Sequence, residues 1–349
     1  MNIFITLDYE LFLGRRTGTV KNCLVLPSKD LMDILAETNT RVTFMVDGAY
    51  LYRLDELKDK YEGVRNDYEM VCDNLLEIKE KGHSIQYHFH PQWLYSHFVE
   101  GQGWQLDYEH YKLSDVPKET ISVAFKKGVT IINDITGSRP CAFRAGGFSL
   151  CSYDTYGPLF EENGIFLDSS VVVGAYSNTK FQVYNYKNVP SKSLYYFYED
   201  ICKEINIPNA KRFIEMPISC SYQMSSIKYM IKKRRMSSDQ FPWKQYGDGV
   251  GVGSELTKAQ RYKELIGKFF GKMRFGGSID GFMSSSLWMV YEDCKKRGDK
   301  HMVILGHPKL ATDKSLVNVK SFVNEMIKAG NEFHTLDEIV SNKSLRDGK

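Results

Sequence analysis

The histidine pair His88 and His90 is the part of this sequence with the clearest chemical potential. The pair ends an apolar, strand-like run at 84–87. Alternate residues of a strand point to the same face, so the two imidazoles face the same way. Neutral imidazole binds zinc and related ions, and a catalytic site needs only two or three protein ligands beside an open position. The pair therefore indicates a divalent-metal site, and a plain surface or core pair is the alternative.

An acidic pair, Asp8 and Glu10, directly follows the apolar run 2–7. By the period of two these carboxylates also share a face. One of them can bind a metal while the other stays free as a base. The alternative is an acidic loop in solvent.

Arg144 lies near the end of a further apolar run, 141–145. Burying an arginine is costly unless it meets a carboxylate, so Arg144 is a candidate partner for Asp8. Gly146 and Gly147 follow it and would let a ligand approach the backbone closely.

Two more strand ends carry ionisable groups. His307 follows the run 301–306, and an imidazole there is a candidate general acid or base because it titrates near neutral pH. Asp168 lies within the run 165–171, where a turn or capping role is the alternative to a functional one.

The elements that must position these groups alternate between strand-like and helix-like patterns, which predicts parallel strands joined by helices. The predicted strands are 2–7, 41–46, 83–90, 141–145, 165–171, 213–218, 301–306 and, with less support from its pattern, 332–336. The predicted helices begin near 28, 67, 117 and 152. In an α/β barrel all these strand ends meet on one face, so residues distant in sequence can form one site.

The interval 220–281 does not follow this alternation and is predicted to be an insertion over one end of the barrel. Its glycine-rich run 247–253 has neither the preceding strand nor the following G-K-[ST] of a phosphate-binding loop, which favours a flexible loop. Basic residues outnumber acidic ones over 228–274. That stretch could contact an anionic glycan carrier or acidic lipid, and a solvated basic face is the alternative.

Composition excludes several classes of protein. The 349 residues are 42% hydrophobic with a formal net charge of +3, which is ample for a core and too small a charge to indicate nucleic-acid binding. Seven cysteines without a C-x-x-C pair predict free thiols in a reducing compartment. Without a leader-like start or a long apolar run, the expectation is a cytoplasmic protein with, at most, peripheral membrane contact. The sequence does not define an oligomeric state.

Together these segments resemble the polysaccharide deacetylase family, carbohydrate esterase family 4, over nearly the whole chain apart from the insertion. The resemblance implies one domain over 1–349, a distorted (β/α)7-type barrel. It also implies a divalent metal, often zinc, and removal of the acetyl group from an N-acetylated sugar or glycan precursor. That activity suggests a role in making cell-envelope polysaccharide.

The resemblance also assigns roles. Asp8 matches the catalytic base, and Glu10 stands where the family has a metal-binding aspartate. Arg144 matches the arginine that orients the base. His307, in Leu305-Gly306-His307, matches the histidine that protonates the leaving amine.

The family's second motif is matched only in part. Its first histidine falls on His88, but the second, four residues later, falls on Gln92. Either His90 replaces that ligand, or Gln92 binds through its carbonyl oxygen, or the metal is weak or absent.

Substrate contacts are expected from residues beside the strand ends: Gln92, Trp93, Gly146 and Asp168. Other aromatic residues could stack on a sugar: Trp104, Tyr184 and Trp243. Two competing hypotheses remain open. One is a catalytically inactive relative that binds glycan or organises an assembly complex. The other is an amidohydrolase-type metal hydrolase, which carries its H-x-H pair on the first strand.

Overall fold

The computed structural model describes residues 1–150, 153–206, 212–224, 241–251 and 272–348. The strands in this part are β1 Asn2–Tyr9, β2 Thr43–Asp47, β3 Ser84–Phe89, β4 His97–Val99, β5 Gly103–Gln105, β6 Ala142–Ala145, β7 Leu167–Asp168, β8 Tyr176–Asn178, β9 Val183–Asn185, β10 Tyr195–Phe197, β11 Phe213–Glu215, β12 Cys220–Met224, β13 Lys272–Gly276, β14 His301–Gly306 and β15 Glu332–Phe333. The α-helices are α1 Leu26–Ala36, α2 Gly48–Leu57, α3 Glu62–Glu80, α4 Lys118–Thr136, α5 Tyr153–Glu162, α6 Leu287–Arg297, α7 Asp313–Lys328, α8 Leu336–Ser341 and α9 Lys343–Arg346.

The main sheet has the strand order β10-β11-β7-β6-β3-β2-β1-β14, with β15 also paired to β1. Every pairing in it is parallel except β10 with β11. The result is a curled, mostly parallel half-barrel with helical crossovers, the distorted (β/α) barrel predicted from the sequence. The carboxyl ends of its parallel strands meet at one end of the barrel.

β1 lies between β2 and β14, next to one edge of the sheet, and is buried along almost its whole length. An all-apolar start suits a strand that is covered on both faces. Helices cover the outside of the sheet, and α7 begins with a capping box in which Thr312 and Ser315 satisfy each other's backbone N–H groups. This cap ends the short segment that carries His307 away from β14.

Two predicted strands are shorter than expected. The run 165–171 is a regular strand only at β7, and 213–218 only at β11, although single backbone hydrogen bonds continue beyond them, such as that from the Ile218 N–H to the Val171 carbonyl. The Ser169 hydroxyl donates to the Met216 carbonyl, and the Ser170 hydroxyl donates to Asp168 and accepts from the Ala145 N–H. Two of these bonds engage backbone groups, the Met216 carbonyl and the Ala145 N–H, that a longer strand ladder could use.

The glycine-rich run differs from the flexible loop that was expected, as far as the described residues 247–251 reach. The Gly247 N–H donates to the Lys309 carbonyl, and Val250 and Arg16 exchange two backbone hydrogen bonds. This segment therefore joins the chain after β1 to the chain after β14. The basic run 232–235 and residues 252–253 lie outside the described residues.

Among the described helices, none has the length and apolar character needed to cross a membrane. The six cysteines in the described ranges are free thiols.

Candidate active site

Four strands of the main sheet, β1, β3, β6 and β14, place the predicted catalytic residues at the same end of the barrel. β14 and β2 flank β1, and the register pairs Leu7 with Gly306. β3 lies between β2 and β6, and His88 is directly opposite Arg144. Residues that are up to 299 positions apart therefore come within hydrogen-bonding distance.

Asp8 and Arg144 form a buried ion pair, as expected from the sequence. The Arg144 Nη1 donates to Asp8 Oδ1 over 2.7 Å, and its remaining donors bond Thr6 and Ser169. Burial alone would raise the pKa of Asp8, but the charge of Arg144 and smaller contributions from His88 and His307 bring it below its ordinary value. Asp8 is therefore held as a carboxylate, the form that a general base requires.

Glu10, His88 and His90 form a compact cluster beside that pair. Glu10 Oε2 lies 3.1 Å from His88 Nε2 and 2.6 Å from His90 Nε2. Burial would raise the pKa of Glu10, but Lys309 and His90 lower it well below its usual range. The cluster combines one carboxylate oxygen with two imidazole nitrogens that converge on a common point.

The backbone of Arg144 sets the orientation of His88. His88 Nδ1 lies 2.7 Å from the Arg144 carbonyl oxygen, which can only accept, so Nδ1 donates and Nε2 faces the cluster. Burial alone would lower the pKa of His88, but Asp8 and Glu10 raise it to about 9. Metal binding at Nε2 therefore requires that nitrogen to lose its proton.

His90 is positioned through its backbone and through the lack of a side chain at Gly146. The His90 N–H donates to Asp47 Oδ1. A Cβ on Gly146 would lie 2.6 Å from His90 Nδ1, so the ring occupies space that only glycine leaves open. The sequence predicted that a ligand approaches the backbone at Gly146, but in the structure the His90 ring occupies that space.

His307 completes the site from the other side. Its Nε2 lies 3.7 Å from Asp8 Oδ2 and 3.8 Å from Glu10 Oε1, while Nδ1 lies 2.8 Å from Asp280 Oδ2. Burial would lower the pKa of His307, but Asp280, and then Asp8 and Glu10, raise it above the ordinary value. His307 is therefore favoured as an imidazolium, the form of a proton donor.

Sequence reasoning missed two residues of this site. Asp280 also accepts the backbone N–H of His307, and it lies in a short strand-like segment where Ser278 bridges to Leu305. Lys309 donates to Glu10 Oε1 over 2.7 Å and is buried. Lys309 has no comparable local signal, because it lies in the short 3-10 helix Pro308–Leu310 and its partner Glu10 is 299 residues away.

The other residues predicted to contact the substrate are Gln92, Trp93 and Asp168. Gln92 is fully buried, and neither polar atom of its amide has a hydrogen-bond partner in the described structure. Trp93 is also fully buried: its indole donates to Asp47 and packs between Tyr50 and Trp104. A ring in that position cannot stack on a sugar, so the substrate role expected for Trp93 is not supported.

Asp168 does not join the cluster either. Its carboxylate bonds Ser170 and faces Glu215 across the β7–β11 pair. Asp168 is paired with Phe143, whose ring packs against Phe160 of α5. This placement does not support the substrate role expected for Asp168.

The residues present fit a divalent metal. Glu10, His88 and His90 are the one group of three or more potential ligands found among the described residues, with ligand atoms all within 4.8 Å of one another. Two nitrogens and one oxygen leave open positions, as catalytic zinc sites do. Of the alternatives left open by the sequence, this geometry favours His90 over Gln92 as the third ligand.

The fold is that of the polysaccharide deacetylases. No family model and no curated protein sequence matches the chain. Among solved structures, a protein described as a polysaccharide deacetylase from Mycobacterium smegmatis matches with a TM-score of 0.52 and 13% identity, over 99% of this chain and 91% of that chain. This similarity shows a shared fold.

Two other solved structures match less closely. The GH57 branching enzyme from the archaeon Thermococcus kodakaraensis has a TM-score of 0.47 and 12% identity, over 98% of this chain and 71% of that chain. The Bc1960 peptidoglycan N-acetylglucosamine deacetylase has a TM-score of 0.39 and 12% identity, over 96% of this chain and 86% of that chain.

Proposed function

We propose that this protein is a metal-dependent deacetylase that hydrolyses the acetamide of an N-acetylated sugar or glycan precursor. One observation carries the proposal. A buried carboxylate held ionised by Arg144 and an imidazole held protonated by Asp280 lie within 4 Å of each other, beside a cluster of three metal-ligand side chains. A base, an acid and a cation site at one point are the parts that amide hydrolysis needs.

The chain's own residues supply the proton transfers. Asp8 Oδ2, the oxygen that Arg144 Nη1 does not bond, accepts a proton from the attacking water. His307 Nε2 gives a proton to the departing amine, because an amine anion is too poor a leaving group. Arg144 keeps Asp8 ionised and in place throughout.

The metal would be held by Glu10, His88 and His90, and zinc is the ion that this ligand set suits best. Such a cation supplies Lewis-acid polarisation of the acetyl carbonyl and a lowered pKa of water. We further propose a carbohydrate partner, a sugar linked to a nucleotide or a lipid, and a role in making cell-envelope polysaccharide.

The test pairs acetate release with metal content. Purified protein is loaded with Zn²⁺ and supplied with N-acetylated sugar nucleotides and oligosaccharides, beside O-acetylated versions that distinguish the two acetyl linkages. We expect Asp8→Asn to lower acetate release by roughly 100-fold or more while it leaves bound metal unchanged. His88→Ala should remove both, and His110→Ala, a half-exposed histidine that pairs with Asp107 outside the cluster, should change neither.

A second function is favoured by two specific features, the Lys309–Glu10 ion pair and the unpartnered Gln92 amide at the position of the family's second histidine. These features fit a glycan-binding or assembly protein without catalytic activity. A metal-loaded protein that binds an acetylated oligosaccharide but releases no acetate from any substrate would establish this function instead.

A further inference from the structure

Lys309 is a buried cation in direct contact with a metal-ligand side chain. Its ammonium donates to Glu10 Oε1 and to the Leu11 carbonyl, each over 2.7 Å. The side chain is 7% exposed, and its nitrogen lies 5.1 Å from the centre of the Phe12 ring. The two carboxylate oxygens of Glu10 therefore have different partners. Oε1 faces the Lys309 ammonium, and Oε2 faces the two imidazoles.

The lysine is fixed in this position. Its backbone carbonyl accepts from the Gly247 N–H, and a Cβ on Gly247 would lie 2.7 Å from that same oxygen. A buried ammonium that left Glu10 would lose its counter-charge, which is strongly unfavourable at a buried site. The ammonium is thus a permanent part of the charge around the cluster.

Resting on the proposed function, we propose that Lys309 restricts Glu10 to one-oxygen coordination and weakens the binding of a divalent cation, so that the metal exchanges with solution. Two effects act in the same direction. Oε1 of the Glu10 carboxylate already accepts a hydrogen bond from the Lys309 ammonium, whose charge offsets part of the carboxylate charge. A cation bound at Oε2 would also face a like charge on the far side of the same carboxylate, and buried charges are weakly screened.

Metal affinity tests this inference without any substrate. The metal-free full-length protein is titrated with Zn²⁺ against a chelating dye, together with two neutral variants, Lys309→Met and Lys309→Gln. Two controls accompany them. Lys309→Arg keeps the charge, and Lys320→Met makes the same change in net charge at an exposed lysine that pairs with Glu37.

We expect each folded neutral variant to bind Zn²⁺ at least about tenfold more tightly than the wild type, with both controls close to wild type. The visible absorption of bound Co²⁺ should also change in the neutral variants, because Glu10 can then offer its second oxygen. Thermal unfolding of each metal-free variant identifies those that are folded.

The outcomes separate the inference from the function. Unchanged or weaker Zn²⁺ binding in a folded neutral variant overturns the inference and leaves the proposed function standing. If neither the wild type nor any variant binds Zn²⁺ or Co²⁺, the inference and the metal-dependent function both fail.

Discussion

The imidazole of His307 has carboxylates on both sides, with Asp280 at Nδ1 and Asp8 and Glu10 farther away at Nε2. Asp280 is the positioning residue of this set, because it also accepts the His307 backbone N–H. We expect Asp280→Asn to lower kcat for acetate release at least about tenfold with little change in KM. Since Asp280 raises the pKa of His307, the alkaline limb of the pH profile should move to lower pH.

Asp299→Asn is the matched control for that variant, because Asp299 pairs with Arg297 away from the site. An Asp280→Asn protein with the kcat and pH profile of the wild type would show that His307 does not depend on this carboxylate.

Gly146 gives a second prediction at the residue scale. In Gly146→Ala the new methyl group would lie 2.6 Å from His90 Nδ1 and 2.7 Å from the Phe89 carbonyl. Overpacking of this kind costs about 1–3 kcal/mol of folding free energy, and relief by movement of His90 should weaken Zn²⁺ binding. Thermal unfolding and Zn²⁺ titration measure the two effects, and Gly276→Ala, where a Cβ meets open space, should show neither.

Most residues of the site were predictable because each directly follows or ends an apolar strand, as Asp8, Arg144 and His307 do. Lys309 was not predictable in the same way. Lysine is almost never fully buried without a partner. Its partner Glu10 is 299 residues away, so only the folded sheet shows why the lysine is there.

At the scale of elements, the glycine-rich segment 247–251 shows where sequence reasoning reached its limit. Without a strand before it, the glycine run indicated flexibility. In the structure, the absence of side chains at Gly247 and Gly249 instead lets the backbone pack against the Phe12 ring. That contact depends on tertiary structure and leaves no local signal.

Two neighbouring glycines of this segment make a matched test. A Cβ on Gly249 would lie 2.3 Å from Phe12 Cδ2 and 2.8 Å from the Arg16 carbonyl, while one on Gly251 would meet only Phe12, at 3.9 Å. We expect Gly249→Ala to lower the free energy of unfolding by about 1–3 kcal/mol and Gly251→Ala to change it little. Equal unfolding midpoints for the two variants would contradict the packing described for this segment.

At the scale of the whole molecule, the architecture followed from the sequence as far as the alternation of strands and helices allowed. The parallel sheet and its crossovers were predicted, because apolar runs between helical patterns require that architecture. The lengths of β7 and β11 were not, since the serines that bond the Met216 carbonyl and the Ala145 N–H have no fixed signature.

The paired carboxyl groups of Asp168 and Glu215 should make stability depend on pH. Burial, and then the neighbouring Asp168, raise the pKa of Glu215 well above its ordinary value. A group with a raised folded-state pKa stabilises fully below its unfolded pKa and loses that contribution as pH rises through the folded-state value. The contribution of Glu215 to the unfolding midpoint should therefore fall as pH rises above the usual glutamate range.

Glu215→Gln removes this titration and should flatten the pH dependence of the unfolding midpoint over the same range. Glu332→Gln, at an exposed glutamate on β15, is the control and should keep the wild-type slope. If the Glu215→Gln and wild-type slopes are equal, the pair does not titrate as described.

The position of β1 between β2 and β14 has a consequence for synthesis on the ribosome. Its neighbours β14 and β15 are translated about 300 residues later, so one flank of this apolar strand stays unpaired until nearly the whole polypeptide has emerged. The proposed base, Asp8, lies on β1, and the proposed acid, His307, directly follows β14. Nascent or truncated chains can therefore form most of the sheet without becoming competent for catalysis, and the exposed flank of β1 is where a chaperone would be needed.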